Sequence, residues 1–296
     1  MNKEKLDQLK EILSIPTYFG HEERVRDYII SFGISNGIPV LVDTVGNVYL
    51  TKGKLDEGEY YPFVCAHMDS VHSEHIPLID ENRKKIIEEI DIKGSTCLIA
   101  KHPDTMVQTG LAADDLAGVF MALSMFEHFD KLKGGFFVKE EFGCDGSFNC
   151  AMDFFDNVGY AIQFDSPGFN RYAVTLMGID LCDDKFNEIT KPILEKYSIN
   201  NFTHDPYTDV YALKEQFDFC CANLPAGYYN WHSTSEYVKI NDIEKSLELS
   251  PLFIKTLGNK KYKFETKSRG LFGHKKHSNP SDNHDFGSDL DDFLYD

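Results

Sequence analysis

The chain has no apolar run approaching the roughly 20 residues that a membrane-crossing helix requires, so no membrane partner is expected. Its opening, MNKEKLDQLKEIL, is a charged amphipathic helix without the apolar centre of a secretory leader, and the expected location is the cytoplasm. No CxxC pair occurs among the seven cysteines. Their number is odd, and Cys65, Cys220 and Cys221 stand in apolar stretches, a pattern of reduced core thiols rather than of a disulfide framework. Positive charge is scarce. With 30 Lys and Arg against 48 Asp and Glu, the net charge of −18 argues against a broad electrostatic surface for nucleic acid or anionic lipid. No internal repeat is apparent.

Low complexity is confined to the end of the chain. The stretch SNPSDNHDFGSDLDDFLYD is acidic, poor in β-branched residues and broken by Pro280 and Gly287, so residues 263–296 are expected to form a disordered acidic tail. Phe286, Phe293 and Tyr295 stand between its acids, where they would serve to dock the tail onto a protein partner or onto the chain's own body.

What is present is an alternation of helical and strand patterns, with 42% hydrophobic residues to build a core. The spacing predicts a helix over 2–14 that stops before Pro16, a second from His21, and a hairpin made by IPVLVD and NVYLT. YPFVCAH, residues 61–67, is an unbroken apolar strand of the kind buried on both faces. Residues 76–109 read as a small antiparallel excursion. Further helices are expected over 116–129, 147–156, 182–197 and 241–257, with strands at 134–139, 159–165, around YAVTLM and at 217–224. The fold class is therefore α/β, with a mixed, mainly parallel central sheet flanked by helices.

In such sheets ligands gather at the carboxyl ends of the strands. The polar residues that interrupt the apolar runs stand at those ends: His67 and Asp69, Asp114 and Asp115, Glu140 and Glu141, and Asp165. Asp114 and Asp115 pose the sharpest question, because an N-cap before the apolar run at Leu116 explains one of them and hardly both. Like charges about 4 Å apart repel by on the order of several kcal/mol at an effective protein dielectric, so such a rim calls for cations. His67 supplies one imidazole, and His232 in YNWHSTSE a second. Two imidazoles with several carboxylates favour zinc, with cobalt and manganese as alternatives, over magnesium. A carboxylate shared by two ions answers the question: Asp114 bridges, while Asp115 caps the next helix or holds the loop that aims its neighbour.

The motifs AHMDS, GLAADDLAGV, EEFGCDGS, QFDS and NWHSTSE, in this order, resemble the co-catalytic zinc exopeptidases, the clan of the M20, M28 and M42 metallopeptidases. IPTYFGHEERVRDYI resembles that clan's N-terminal helix and loop, so the likeness spans roughly residues 5–258 and implies a zinc-peptidase-like catalytic domain over 1–262. The resemblance implies two divalent ions bridged by Asp114, with His67 and Asp165 on one and Glu141 and His232 on the other. Asp69 would accept the free ring N–H of His67, and Glu140 would be the general base. A cis peptide after the bridging aspartate is also implied.

The implied reaction is hydrolysis of a peptide (amide) bond in a small peptide, by an aminopeptidase or a di- or tripeptidase. An N-acyl amino acid deacylase or carboxypeptidase would use the same chemistry with another pocket. A catalytically inactive scaffold acting through the tail is the reading from a different class, but all the ligands and the base stand. Where M20 enzymes insert a lid or dimerisation domain, only 66 residues separate Asp165 from His232, so that domain is expected to be missing or reduced. An aspartate placed like Asp209 often supports the site in the compact relatives; His204 and Tyr207 could reach a substrate, but their stretch reads first as a polar surface loop. M20 and M42 relatives often assemble, which leaves a homo-oligomer open.

Overall fold

The computed structural model describes residues 1–72, 83–205 and 207–265. Helices α1 (Lys3–Leu13) and α2 (Glu23–Ser35) precede the hairpin β1 (Val40–Val42) and β2 (Val48–Lys52). The strands β3 (Tyr61–His67), β4 (Ile86–Ile92), β5 (Ser95–Lys101) and β6 (Gln108–Thr109) lead to α3 (Ala113–His128) and β7 (Leu132–Phe137). After α4 (Asp145–Phe148) and a 3-10 turn at Met152–Phe155 come β8 (Val158–Ser166), β9 (Tyr172–Leu176), β10 (Ile179–Asp180) and α5 (Asp184–Lys196). The chain closes with β11 (Phe202–Asp205), α6 (Asp209–Gln216), β12 (Cys220–Pro225), β13 (Tyr228–Tyr229), β14 (Tyr237–Lys239) and α7 (Ile240–Leu257).

The central sheet runs β1-β2-β7-β3-β8-β12-β9-β10, with β11 beside β9. Its middle strands β7, β3, β8 and β12 are mutually parallel, as expected. Every residue of β3 is buried, because both faces of the sheet are covered. On one face lies α3, apolar on all sides and buried from Ala113 to Phe126, packed against β3, β8, α1 and α7. A helix that is apolar all round must sit in a core. On the other face an aromatic cluster of Tyr49, Phe63, Phe137, Phe155 and Phe219 packs beneath α6.

The antiparallel excursion forms a second sheet in the order β13-β14-β5-β4, with β6 beside β5. Its two strands from beyond residue 225 were not legible as part of it, and residues 76–82 of the expected excursion lie outside the described residues. The helix expected over 147–156 is instead split into α4 and the 3-10 turn. The split has local causes: Asn149 turns its amide back to the carbonyl of Asp145, and the Ala151 N–H is taken by the Tyr49 hydroxyl. The polar stretch at 202–205 is the strand β11 rather than a surface loop.

The chain stays paired beyond residue 262. The Tyr262 N–H donates to Gly159 and the Phe264 N–H to Asp218. Residues 266–296 of the expected tail lie outside the described residues. All seven cysteines are buried and unbridged. Among the described residues no helix is long and apolar enough to cross a membrane.

Candidate active site

Three neighbouring parallel strands deliver the first acids and the first imidazole. His67 is the last residue of β3 and pairs with Phe137 at the end of β7, three residues before Glu140. On the other side Cys65 pairs with Gln163, which brings His67 level with Asp165 on β8. Asp114 does not end a central strand, contrary to the sequence-based expectation. It opens α3 and is joined to Asp115 by a cis peptide bond. His232 arrives from the turn between β13 and β14, with a left-handed backbone at φ +58°.

Asp114 faces both imidazoles. Its Oδ1 lies 3.2 Å from Nε2 of His67, and its Oδ2 lies 3.3 Å from Nε2 of His232. Each histidine has a second acid beside it: Oδ2 of Asp165 is 3.9 Å from His67, and Oε2 of Glu141 is 3.1 Å from His232. The cluster therefore has two halves that meet on one carboxylate. Tyr228 donates to Oδ1 of Asp165 at 3.0 Å, and the Thr208 hydroxyl donates to Oδ2, which aims that carboxylate. Glu140 sits behind His67, with Oε2 at 3.8 Å from its Nε2, and accepts a long contact from the Cys144 thiol at 3.6 Å.

The supporting residues are as ordered as the cluster. Asp69 Oδ1 lies 3.3 Å from Nδ1 of His67, while its two oxygens accept the N–H groups of Glu140 at 2.9 Å and Glu141 at 3.1 Å. One buried carboxylate thus stands against the ring while it holds the backbone of the glutamate pair. Asp115 Oδ2 accepts the His67 N–H at 3.2 Å, and its Oδ1 accepts the Gly118 N–H at 3.1 Å at the start of α3. A Cβ at Gly118 would lie 2.1 Å from that Oδ1, so only glycine leaves room for the contact.

Sequence reasoning missed Glu236. It is fully buried, and its oxygens accept the N–H of Ala112 at 2.7 Å and of Asp114 at 3.0 Å, while His72 Nε2 stands at 3.1 Å. It therefore holds the backbone that presents Asp114. The available signal was its place at the end of NWHSTSE, four residues after His232. Replacing Glu236 by Gln turns one acceptor into a donor that faces a backbone N–H. The expected result is a ~10- to 100-fold loss of metal affinity, read by competition with a chromogenic chelator, and an unchanged affinity would refute this role.

Asp209 opens α6 buried, near Gln163 Nε2 at 3.2 Å, and burial pushes its pKa up to about 7. His204 faces Thr175 on the neighbouring strand at 2.6 Å and does not line the cleft, whereas Tyr207 does.

The electrostatics show what the cluster needs. Burial raises the pKa of Glu140 and Asp165 well above the carboxylate range, with Asp165 adding to the effect on Glu140 and Asp114 to that on Asp165. Burial also raises Glu141. Hydrogen bonds to Asp114 and Glu141 push His232 up to about 10. Burial opposes charge on His67, yet Glu140, Asp114 and Asp69 lift it well above its usual value. Burial likewise opposes charge on Asp114, but the two imidazoles hold it low. The protein alone satisfies this cluster only by binding protons.

Divalent cations fit it better. Ligand atoms about 2.0–2.1 Å from a tetrahedral zinc lie roughly 3.3 Å from one another, close to the 3.1–3.9 Å separations within each half. Donor atoms of His67, Asp114 and Glu141 lie within 4.8 Å of each other, and those of His67, Asp115 and Asp165 do likewise. Asp115 is engaged by two backbone N–H groups, and Asp165 by the hydroxyls of Tyr228 and Thr208. Glu141 Oε1 is buried with no hydrogen-bond partner among the described residues, as a ligand oxygen would be. The cluster forms one wall of a cleft of about 250 Å³, with Tyr207, Tyr228, Trp231 and Arg171 on the others.

No protein-family model and no curated protein sequence matches the chain. Solved structures do. An aminopeptidase PepT from Bacillus cereus superposes with a TM-score of 0.66 at 14% identity, covering 87% of this chain and 99% of that one. A tripeptidase from Staphylococcus aureus gives 0.65 at 13% identity, covering 87% and 100%. The Pyrococcus horikoshii TET1 peptidase, which can assemble into a tetrahedron or a large octahedral shell, gives 0.58 at 18% identity, covering 85% and 99%. At these identities the likeness establishes that the chain shares the fold of these structures.

Proposed function

We propose that the chain is a co-catalytic metallopeptidase that hydrolyses small peptides from the amino end, as an aminopeptidase or a di- or tripeptidase. The observation that carries this reading is the division of Asp114 between two imidazole–carboxylate pairs, His67 with Asp165 and His232 with Glu141. The names borne by the structural neighbours agree with it.

Those five side chains would hold two divalent ions, zinc by the donor set, with cobalt or manganese as substitutes. When bound, such ions acidify water and polarise a carbonyl. The chain's own residues do the rest. Glu140 is buried beside His67, placed to take a proton from the attacking water and to return it to the leaving amine. Asp69 stands against the ring of His67 and holds the backbone of both glutamates, so the base and the ligands keep one geometry. The acids of the cleft suit a substrate ammonium group.

The test is a peptide panel that includes N-acyl amino acids, run before and after chelation. Free-amino di- and tripeptides should be cleaved, activity should vanish with chelator, and zinc, cobalt or manganese should restore it. Preference for N-acyl substrates would move the assignment to a deacylase, and no hydrolysis by metal-loaded protein would sink it.

Chelation has a pH signature as well. Glu140, Asp165, His67 and His232 all have folded-state pKa values raised above their ordinary ones, so the stability they contribute without metal is complete at low pH and is lost as pH rises through those values. Calorimetry of the chelated protein should show Tm falling as pH rises from the ordinary carboxylate range toward about 10, the value to which His232 is raised. Bound metal should flatten that fall.

A further inference from the structure

Arg171 faces the same cleft from a wall that the metal cluster does not use. It is the only Lys or Arg lining the cleft among the described residues. Its side chain is 30% exposed, and one terminal nitrogen, Nη2, donates to Oδ1 of Asp205. The other oxygen of Asp205 accepts the Thr203 hydroxyl at 2.8 Å. The pair is therefore single-pronged. An arginine present solely to neutralise Asp205 would meet it through the two-pronged fork that guanidinium and carboxylate form readily. Instead, Nε of Arg171 is buried with no hydrogen-bond partner among the described residues.

The sheet register places this group relative to the cluster. Gln163 on β8 pairs with Asn223 on β12, and Asn223 pairs with Ala173 on β9. β12 is parallel to β8 and antiparallel to β9, and a register shift after Asn223 sets Pro225 against Ser166, so Asp165, two residues on from Gln163, and Arg171, two back from Ala173 and just ahead of β9, fall near the same level without being in exact register. Both side chains line the same cleft. Two strand spacings separate their backbones, roughly 10 Å. An extended peptide advances about 3.3–3.6 Å per residue. A peptide whose scissile bond lies at the cluster therefore brings a group one or two residues further on within reach of the Arg171 side chain.

We propose that Arg171 binds a carboxylate on the leaving-group side of the substrate, either the free terminal carboxylate of a short peptide or an acidic side chain there. This rests on the peptidase reading of the cleft. Asp205 holds the guanidinium in place, and the remaining N–H groups select the substrate by its negative end. The cleft is then polar along its length, with acids for the ammonium end and one cation for the carboxylate end.

The experiment compares metal-loaded parent protein on trialanine, trialanine amide and the amide of Ala-Ala-Asp. The parent should prefer the free acid over trialanine amide by about ten- to a hundredfold in kcat/KM, mostly through KM. Arg171→Met should bring the two to parity, Arg171→Lys should keep part of the preference, and Asp205→Asn should keep the preference because the arginine remains. Circular dichroism checks that the variants fold. Recovery of the rate with Ala-Ala-Asp amide assigns a side-chain carboxylate, and no recovery assigns the terminal one. Equal cleavage of acid and amide by the parent, or a preference that survives in Arg171→Met, overturns the proposal. Calorimetric binding of a reduced-bond tripeptide, as acid and as amide, keeps the two readings apart. A parent that binds the acid more tightly without cleaving trialanine overturns the peptidase, whereas cleavage without any preference for the acid overturns only the role of Arg171.

Discussion

Replacing Glu140 by Gln is expected to lower kcat by about a hundred- to ten-thousandfold while both metal ions stay bound. The substitution keeps the shape of the side chain and removes only its ability to accept a proton. The backbone there is anchored independently, because Asp69 takes the N–H groups of residues 140 and 141 and would do so in the variant. Glu140 is also not among the side chains that divide Asp114 between two imidazoles, so metal content should remain near two per chain. KM should change little, since the loss falls on proton transfer. The checks are steady-state kinetics beside plasma mass spectrometry of the same preparation. A loss of less than tenfold would remove Glu140 from the role of base. A loss of metal in proportion to activity would make it a ligand instead.

The strand ends were the legible part of this site. An apolar run such as YPFVCAH that stops at a histidine reveals both the strand and the residue presented at its end, because burial on two faces leaves no other place for a polar side chain. The same holds for Asp165, and in weaker form for Glu140 and Glu141, where the strand stops at Phe137 and a turn carries the acids onward. Asp115 was legible in outline, since an acid ahead of an apolar helix has backbone N–H groups to satisfy. Glu236 was not. Its partners are backbone N–H groups more than a hundred residues away, and backbone donors leave no trace in residue identity. The joining of β13 and β14 to the excursion was hidden for a similar reason: three-residue and two-residue strands pair through main chain alone. Arg171 stood in plain view, but its meaning depends on a register across three strands.

Replacing Asp114 by Ala should have the opposite profile to the glutamine variant: metal content falls from two to below one per chain, and hydrolysis falls with it. Asp114 is the one residue whose two oxygens face the two imidazoles, at 3.2 and 3.3 Å, so its loss weakens both halves at once. Residues that merely support a ligand cost about 10- to 100-fold when removed, and a shared ligand should exceed that range. The variant has a structural reason to fold, because Glu236 grips the backbone at this position and Asp115 keeps its own contacts to His67 and Gly118. It also takes from the metal-free cluster the acid that both imidazoles hold ionised. Its melting temperature should therefore lie below that of the chelated parent, and zinc should raise it far less than it raises the parent's. Retention of two ions by the variant would refute the bridge. Absence of ions from the zinc-supplied parent would mean that protons hold the cluster together, and the peptidase reading would fall with the bridge.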